Sequence, residues 1–410
     1  EIGVRLVGSE MCIRDRFNNK FNVMMKGCFY HNKESSSLKL SSLFQREVSL
    51  CYNLYMNYSK LFDFARDFYT SLSYNDKYGK AKIPFRYFLE LTYHCNLACP
   101  YCYVGKERNK KELTTDEWKK VIEQLPFYSI ATLVGGEPLI RKDFIDILAY
   151  ISKKIWNKVH VVSNGILIND EIIKAFIKYK LLMLSVSLDG YGENHDKNRG
   201  KEGIFDIIIS NLENLKAQKP NQMVDIKTIV LENNLDDLVK LYKLCEKMGF
   251  EFLSISFLRN NNWKQSSILQ ESFIPEYNAN YPIEQYFDMA HFKEVYRELE
   301  SVKGKTKLRF SPKFEYSKNP LEAIEKFFNL PSETPVQKIY KPCTFPYNNM
   351  FINPEGFVYP CLSQKIGNVK DKSLKELFNA PHYCCFRKNL KANGGTFGAC
   401  QTCCELTPEF

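Results

Sequence analysis

From residue 85 to residue 258, short apolar runs alternate with amphipathic stretches, and that alternation leaves few folds open. The runs at 86–92, 130–134, 159–163, 182–188, 224–230 and 251–258 are rich in Val, Ile, Leu and Phe. Strands this apolar are buried on both faces, as in parallel sheets covered by helices. The segments between them carry helix signals. Thr114, with Glu117 three residues later, forms a capping box, and Trp118, Val121, Ile122 and Leu125 share the inner face of the helix that follows. Asn234 is read as the cap of another helix, with Leu235, Leu238, Tyr242 and Cys245 on one side and Gly249 at its end. Six strands with five intervening helices predict an α/β chain built on a parallel sheet.

At 410 residues the chain can bury one large domain plus something smaller. With 44% hydrophobic and 25% charged residues it has the balance of a globular protein, and its apolar runs fall well short of the about 20 residues that cross a bilayer. No apolar segment follows a basic start, so no signal peptide is expected. The net charge is +10, but the lysines are scattered rather than gathered into a stripe, which argues against nucleic acid as a partner. Fourteen cysteines without an export signal point to metal or redox chemistry rather than disulfides. Cys12, Cys28 and Cys51 stand isolated, and Cys245 reads as a buried thiol on a helix face. Residues 1–16 fit nothing downstream and resemble translated adapter read-through. They are expected to be non-native, with the native start at Met24 or Met25.

Directly after the first apolar run stands Thr92-Tyr-His-Cys95-Asn-Leu-Ala-Cys99-Pro-Tyr-Cys102. Three thiolates within eight residues can hold three corners of one cubane iron–sulfur cluster and leave one iron open. A pure electron carrier wants four cysteines, whereas an open iron suits an enzyme that binds a molecule to the metal. A partial zinc knuckle is the alternative, although structural zinc takes four ligands. The C-x3-C-x-aromatic-C spacing, with Tyr101 as the aromatic, resembles the radical S-adenosylmethionine (radical SAM) family. The resemblance implies a catalytic [4Fe–4S] cluster on Cys95, Cys99 and Cys102, with the amine and carboxylate of SAM on the open iron. One electron then yields methionine and a 5′-deoxyadenosyl radical that abstracts hydrogen from a substrate. It also implies a flavodoxin- or ferredoxin-type electron donor and a partial (β/α)6 TIM-like barrel in place of an unspecified sheet.

Binding residues of parallel barrels gather at the C-terminal ends of the strands. After the second strand comes Gly135-Gly136-Glu137-Pro138, beginning 33 residues beyond Cys102. Its glycines permit close backbone approach and its carboxylate can accept from an ammonium; it also reads as a tight turn. In the family this segment meets the methionyl amine. After the third strand comes Ser163-Asn164-Gly165, either a SAM contact through Asn164 or an Asn-Gly turn. After the fourth come Ser187-Leu-Asp189-Gly190 and His195-Asp196-x-x-Arg199-Gly200. The resemblance gives Ser187 and Arg199 the SAM carboxylate, which suits a guanidinium. Asp189 reads equally as a helix cap and His195 as a plain loop residue. Asn233 and Asn234 follow the fifth strand, where capping accounts for Asn234. Leu258 follows the sixth and either packs on the adenine or joins the core.

Residues 341–406 carry Cys343, Cys361, Cys400 and Cys403, with a hairpin pattern between them that turns at Pro354–Gly356. This set resembles the twitch domain, the shortened form of the SPASM extension of radical SAM enzymes. The resemblance implies one auxiliary [4Fe–4S] cluster on those four cysteines; a tetrahedral zinc site is the alternative. Cys384, Cys385 and Cys404 lie outside the full SPASM spacing.

The expected order is thus a helical N-terminal extension at 17–84, a radical SAM core at 85–262, a connector at 263–340 and a small C-terminal iron–sulfur domain at 341–406. The expected function is hydrogen abstraction from a peptide or protein substrate, with the auxiliary cluster accepting an electron as the substrate is oxidised or crosslinked. Dehydrogenation of a sugar- or aminocyclitol-like small molecule is the alternative, and a non-catalytic iron–sulfur electron carrier the second. Exposed clusters would require a reduced cytoplasm.

Overall fold

The computed structural model describes residues 70–82, 84–102, 110–156, 158–258, 285–331, 334–361, 364–401 and 403–410. The N-terminal extension up to residue 69, Cys12, Cys28, Cys51 and the polar loop at 260–265 lie outside the described residues. Strands β1 (Arg86–Glu90), β2 (Ile130–Val134), β3 (Val159–Ser163), β4 (Met183–Ser187), β5 (Met223–Val230) and β6 (Phe252–Phe257) match the six expected runs. Each pairs with the next in parallel and in chain order. Helices α1 (Thr115–Glu123), α2 (Phe144–Lys154), α3 (Asp170–Lys178), α4 (Glu193–Arg199), α5 (Ile204–Gln218) and α6 (Asp237–Met248) make the crossovers.

The sheet is longer than six strands. Helix α7 (Met289–Ser301) leads into β7 (Lys307–Ser311), a parallel partner of β6. After helices α8 (Pro320–Phe328) and α9 (Phe345–Asn348), strand β8 (Asn349–Ile352) joins the opposite edge, parallel to β1. Strands β9 (Phe357–Tyr359) and β10 (Gly367–Asn368) extend it antiparallel, and α10 (Leu374–Phe378) and α11 (Pro381–Ala392) follow. The cysteine-bearing C-terminal segment therefore continues the core sheet rather than standing beside it. Its hairpin turns at Gly356 as expected, with φ of 90°.

Strand alternation divides the sheet into two chemistries. Tyr87, Leu89, Ala131, Leu133, Val161, Leu184, Ile226 and Leu253 lie in register across the strands and are almost fully buried in the core that includes Trp118, Ile147 and Phe176. The alternate positions carry Arg86, Thr132, His160, Ser185, Asp225, Lys227, Ser254 and Arg309. In a flat sheet the six spacings from β1 to β7 would separate Arg86 from Arg309 by about 29 Å. Burial nevertheless pulls Arg86 below the ordinary guanidinium range, Glu405 pulls it back, and Arg309 lowers it again. Charges that feel one another in this way require a sheet curled into a partial barrel, with the polar positions on its concave side.

Thr114 closes its capping box as read from the sequence. Asn234 does not cap α6, which starts at Asp237 behind Asp236. Asn234 ends a 3-10 turn, where its side chain accepts from Leu231 N (2.8 Å) and donates to Ile229 O (2.8 Å). Two polar groups inside the loop capture the side chain before the helix begins. Cys245 is fully buried, as expected. Among the described residues no helix is long and apolar enough to cross a membrane.

Candidate functional site

The cysteine loop leaves β1 and is nested on the loop after β2. Gly136 N donates to Thr92 O (2.7 Å) and Glu137 N to His94 O (2.8 Å). A Cβ on Gly135 would fall 2.6 Å from Thr92 O, and one on Gly136 2.3 Å from His94 O. These glycines permit the close approach of the two loops, backbone to backbone. A carboxylate that sequence reasoning missed fixes the base of the loop. Glu112 accepts from Tyr93 N (2.7 Å) and Thr92 Oγ1 (2.9 Å), and Arg141 pairs with it at 3.6 Å while donating to Leu91 O (2.9 Å). Asp143 holds the other side of Arg141 at 2.8 Å. No local pattern marks Glu112, since it lies 17 residues before Ser129 in an unpatterned loop and its partners come from two other elements.

Glu137 is wholly buried, and its carboxylate accepts from Leu139 N (3.1 Å), Ser163 Oγ (2.9 Å) and Asn164 N (2.7 Å). Burial pushes its pKa up to about 7, against the pull of those three donors. The side chain joins the second and third strand ends. Pro138 is buried beside it. Glu137→Ala should cost about 3 kcal/mol by stranding the three donors, and Glu137→Gln less, because its carbonyl still accepts. A urea midpoint for Glu137→Ala equal to that of wild type would contradict this role.

Donors converge on two of the three sulfurs. Leu97 N lies 3.4 Å from Cys95 Sγ and Asn164 Nδ2 3.9 Å from it; Asn164 also donates to Asn96 Oδ1 (2.7 Å). An Arg199 Nη lies 3.8 Å from Cys99 Sγ. Burial pushes the Cys95 and Cys99 thiols above their ordinary range, with the Leu97 amide and Arg199 respectively opposing it. A thiol so disfavoured as a free thiolate, yet faced by N–H donors, suits a sulfur whose charge is shared with a metal. Cys102 is exposed at the end of the loop.

Asp189 joins three strand ends. It is fully buried, accepts from Ile229 N (2.8 Å) and the Tyr101 hydroxyl, and pairs with Arg199 at 2.5 Å. It caps no helix, because α4 begins behind Gly192. Burial opposes the Arg199 charge, but Asp189 first and Tyr101 and Cys99 after it hold its pKa above the ordinary value. The guanidinium also faces the Tyr101 ring, and among the described residues its buried Nε has no partner. His195 is not a plain loop residue: it lies buried on α4, and its Nδ1 accepts from Asp189 N (3.0 Å). Burial, and then Arg199, pull it down to about 4, so it stays neutral. Asn198 and Asn234 both donate to Asp189 O, and Asn233 donates to Asn198 Oδ1. Ser187 ends β4 half-buried, and Leu258 stands half-buried just past β6.

The second cysteine set forms around the hairpin. Cys343 precedes α9 and donates its amide to Gly395 O (2.9 Å); Cys361 follows β9; Cys400 accepts from Phe397 N at 3.4 Å; Cys403 N donates to Cys400 O (3.0 Å). All four are half-buried against the core. Burial raises Cys343, with Cys400 and Cys361 adding to it, and pushes Cys400 up to about 12. Three of these sulfurs thus feel one another, which brings together residues up to 57 apart in sequence. Among the described residues no three Cys, His, Asp or Glu side chains close on a single-ion site. Cys384 and Cys385 lie on α11, where Cys384 Sγ donates to Asn379 O (3.5 Å) and the exposed Cys385 accepts from Asn389 (3.5 Å). Cys404 is half-buried.

Two family models match the chain. The radical SAM superfamily model matches residues 89–245, and the SPASM model, an iron–sulfur cluster-binding domain, matches 343–404. The chain is similar to Fe-coproporphyrin III synthase of Methanosarcina barkeri, with 33% identity over 161 residues, 38% of this chain and 40% of that protein. It is also similar to the sporulation killing factor maturation protein SkfB of Bacillus subtilis, with 28% identity over 41% of each chain. These matches span well under two thirds of either relative. In fold it is similar to Streptococcus suis SuiB solved with S-adenosylmethionine, with a TM-score of 0.57 and 15% identity over 96% of this chain and 84% of that one. The chain belongs to the radical SAM superfamily and carries a C-terminal SPASM iron–sulfur domain.

Proposed function

We propose that this chain is an enzyme that cleaves SAM reductively and oxidises or crosslinks a peptide substrate. The observation that carries the reading is the set of N–H donors aimed at Cys95 and Cys99 beside a guanidinium with a spare buried Nε. The family's [4Fe–4S] cluster and SAM supply a 5′-deoxyadenosyl radical when reduced, and the SPASM domain adds an auxiliary cluster. Cys95, Cys99 and Cys102 would hold the first cluster. Leu97 N and Asn164 offset charge at Cys95, and Arg199 does so at Cys99. Arg199 Nε and Ser187 are the donors left for the SAM carboxylate, while the main chain of Gly135–Pro138 is left for its amine. Tyr101, held by Asp189, fixes the rim of the cysteine loop, and Leu258 offers an apolar surface to the adenine. Cys343, Cys361, Cys400 and Cys403 would hold the auxiliary cluster, which would supply an electron acceptor for the oxidation.

A relative named for maturing a killing factor supports the peptide reading. A relative named for making a coproporphyrin supports a small-molecule substrate as the second reading. The electron donor would be a flavodoxin or ferredoxin in a reduced cytoplasm. Cys361→Ala tests the division of labour. It should spare 5′-deoxyadenosine release without substrate and lower the iron content, yet block substrate oxidation. Substrate oxidation at the wild-type rate would remove the auxiliary cluster from the reaction.

A further inference from the structure

The concave side of the sheet carries charge that neither cluster uses. Arg86 donates to Thr132 Oγ1 (3.1 Å) and contacts His160 Nδ1 (3.2 Å), whose Nε2 meets Ser185 Oγ (2.9 Å). Ser185 and Ser254 donate to the buried Asp225 (2.9 and 2.6 Å), and Lys227 pairs with it at 3.3 Å. On β7, Arg309 lies 3.3 Å over the Phe252 ring, half-buried. Among the described residues its guanidinium makes no hydrogen bond and no ion pair, although it carries five donors. Burial holds His160 well below the ordinary imidazole range, and Arg86, Lys227 and Arg309 each push it lower, so the ring stays neutral. The carboxylates that feel them are Asp225, Glu405 and Glu315. Glu405 is already paired with Lys313 at 3.4 Å, Glu315 is raised by burial and accepts from Phe310 N, and Asp225 is taken by two serines and Lys227. Among the described residues Arg309 is the cation of this set without a hydrogen bond or ion pair, and Glu315 is a carboxylate that its charge reaches.

Arg86 opens β1 and the cysteine loop follows its last residue, about 13 Å further along the strand. Strand register runs from Ser187 to Lys227, from Lys227 to Ser254 and from Ser254 to Arg309, so Lys227 and Arg309 stand level with the C-terminal end of β4 and Arg86 lies deeper in the partial barrel. We propose that Arg86, Lys227 and Arg309 form an anion subsite that seats a carboxylate of an acidic peptide substrate. This deepens the function proposed above and rests on its peptide reading. Arg309 is the primary contact, because among the described residues its donors are unspent and its fork matches a carboxylate. Lys227 and Arg86 set the field, and His160, neutral and hydrogen-bonded, fixes the Arg86 head group.

The test uses the anaerobically reconstituted full chain and fluorescein-labelled hexaglutamate, with hexaglutamine as the neutral counterpart. Hexaglutamate should bind at least about tenfold more tightly, and Arg309→Gln should remove most of that difference. Arg309→Lys should restore part of it, and Lys153→Gln, an exposed lysine on α2, should leave it unchanged. Equal binding of the two peptides overturns the proposal. So does a preference for glutamate that survives Arg309→Gln or disappears in Lys153→Gln, since the net positive charge alone would then explain it. Release of 5′-deoxyadenosine without substrate is measured on the same samples. Its presence without a glutamate preference sinks the subsite alone, and its absence with an intact preference sinks the radical reading alone.

Discussion

Cys99→Ala should reduce the release of 5′-deoxyadenosine from SAM under dithionite to background while keeping about four irons per chain. The cause is local. Cys99 is the middle cysteine of the loop and the one whose sulfur faces Arg199. Without it two thiolates remain, too few to retain a cubane with one open iron. The guanidinium loses its sulfur partner and keeps Asp189 and the Tyr101 ring, so the site changes in charge as well as in ligand count. The second cysteine set sits on other elements and should keep its iron. Cleavage of SAM by Cys99→Ala would refute the assignment, and loss of all iron would show that the two sets depend on each other.

Arg387→Ala should destabilise the fold by about 4 kcal/mol and carry away the C-terminal iron. Arg387 on α11 is fully buried, and among the described residues none of its hydrogen-bond partners is a carboxylate. Its donors go to Pro346 O (2.8 Å), Phe378 O (2.8 Å) and Gly79 O (3.2 Å), and its face lies 4.0 Å from the Tyr383 ring centre and 4.1 Å from that of Phe378. Three carbonyls and two rings thus replace a counter-ion and tie residue 79, the start of α9 and the end of α10 to one helix. Alanine would strand the carbonyls and open a cavity in the same place. Arg387→Met refills the volume but not the donors, so it should fall between the two. Guanidinium-chloride midpoints of all three chains check this. A loss below about 1 kcal/mol in Arg387→Ala would mean that the clamp is unnecessary.

The strands were legible because each is an uninterrupted apolar run, and β1 to β6 fall within two residues of those runs. Strand β7 was read as part of a connector and β8 as half of a separate hairpin. Only long-range pairing, invisible to periodicity, attaches them to β6 and β1. The cysteine spacings were legible for a similar local reason. Roles that depend on who faces whom were not. That Glu137 joins two strand ends is visible only once Ser163 and Asn164 are placed against it. Asp189 looks like a cap until Tyr101, Arg199 and Ile229 arrive from three other segments. Arg309 carries no local signal at all, because its meaning lies in the absence of an acceptor among the described residues around it.

Iron and sulfide per chain after anaerobic reconstitution, on wild type and on Cys95/Cys99/Cys102→Ala, test the central claim most directly. Two clusters predict about eight irons falling to about four, with SAM binding lost in the triple variant. About four irons in both proteins, with SAM binding unchanged, would contradict a cluster on the β1 loop.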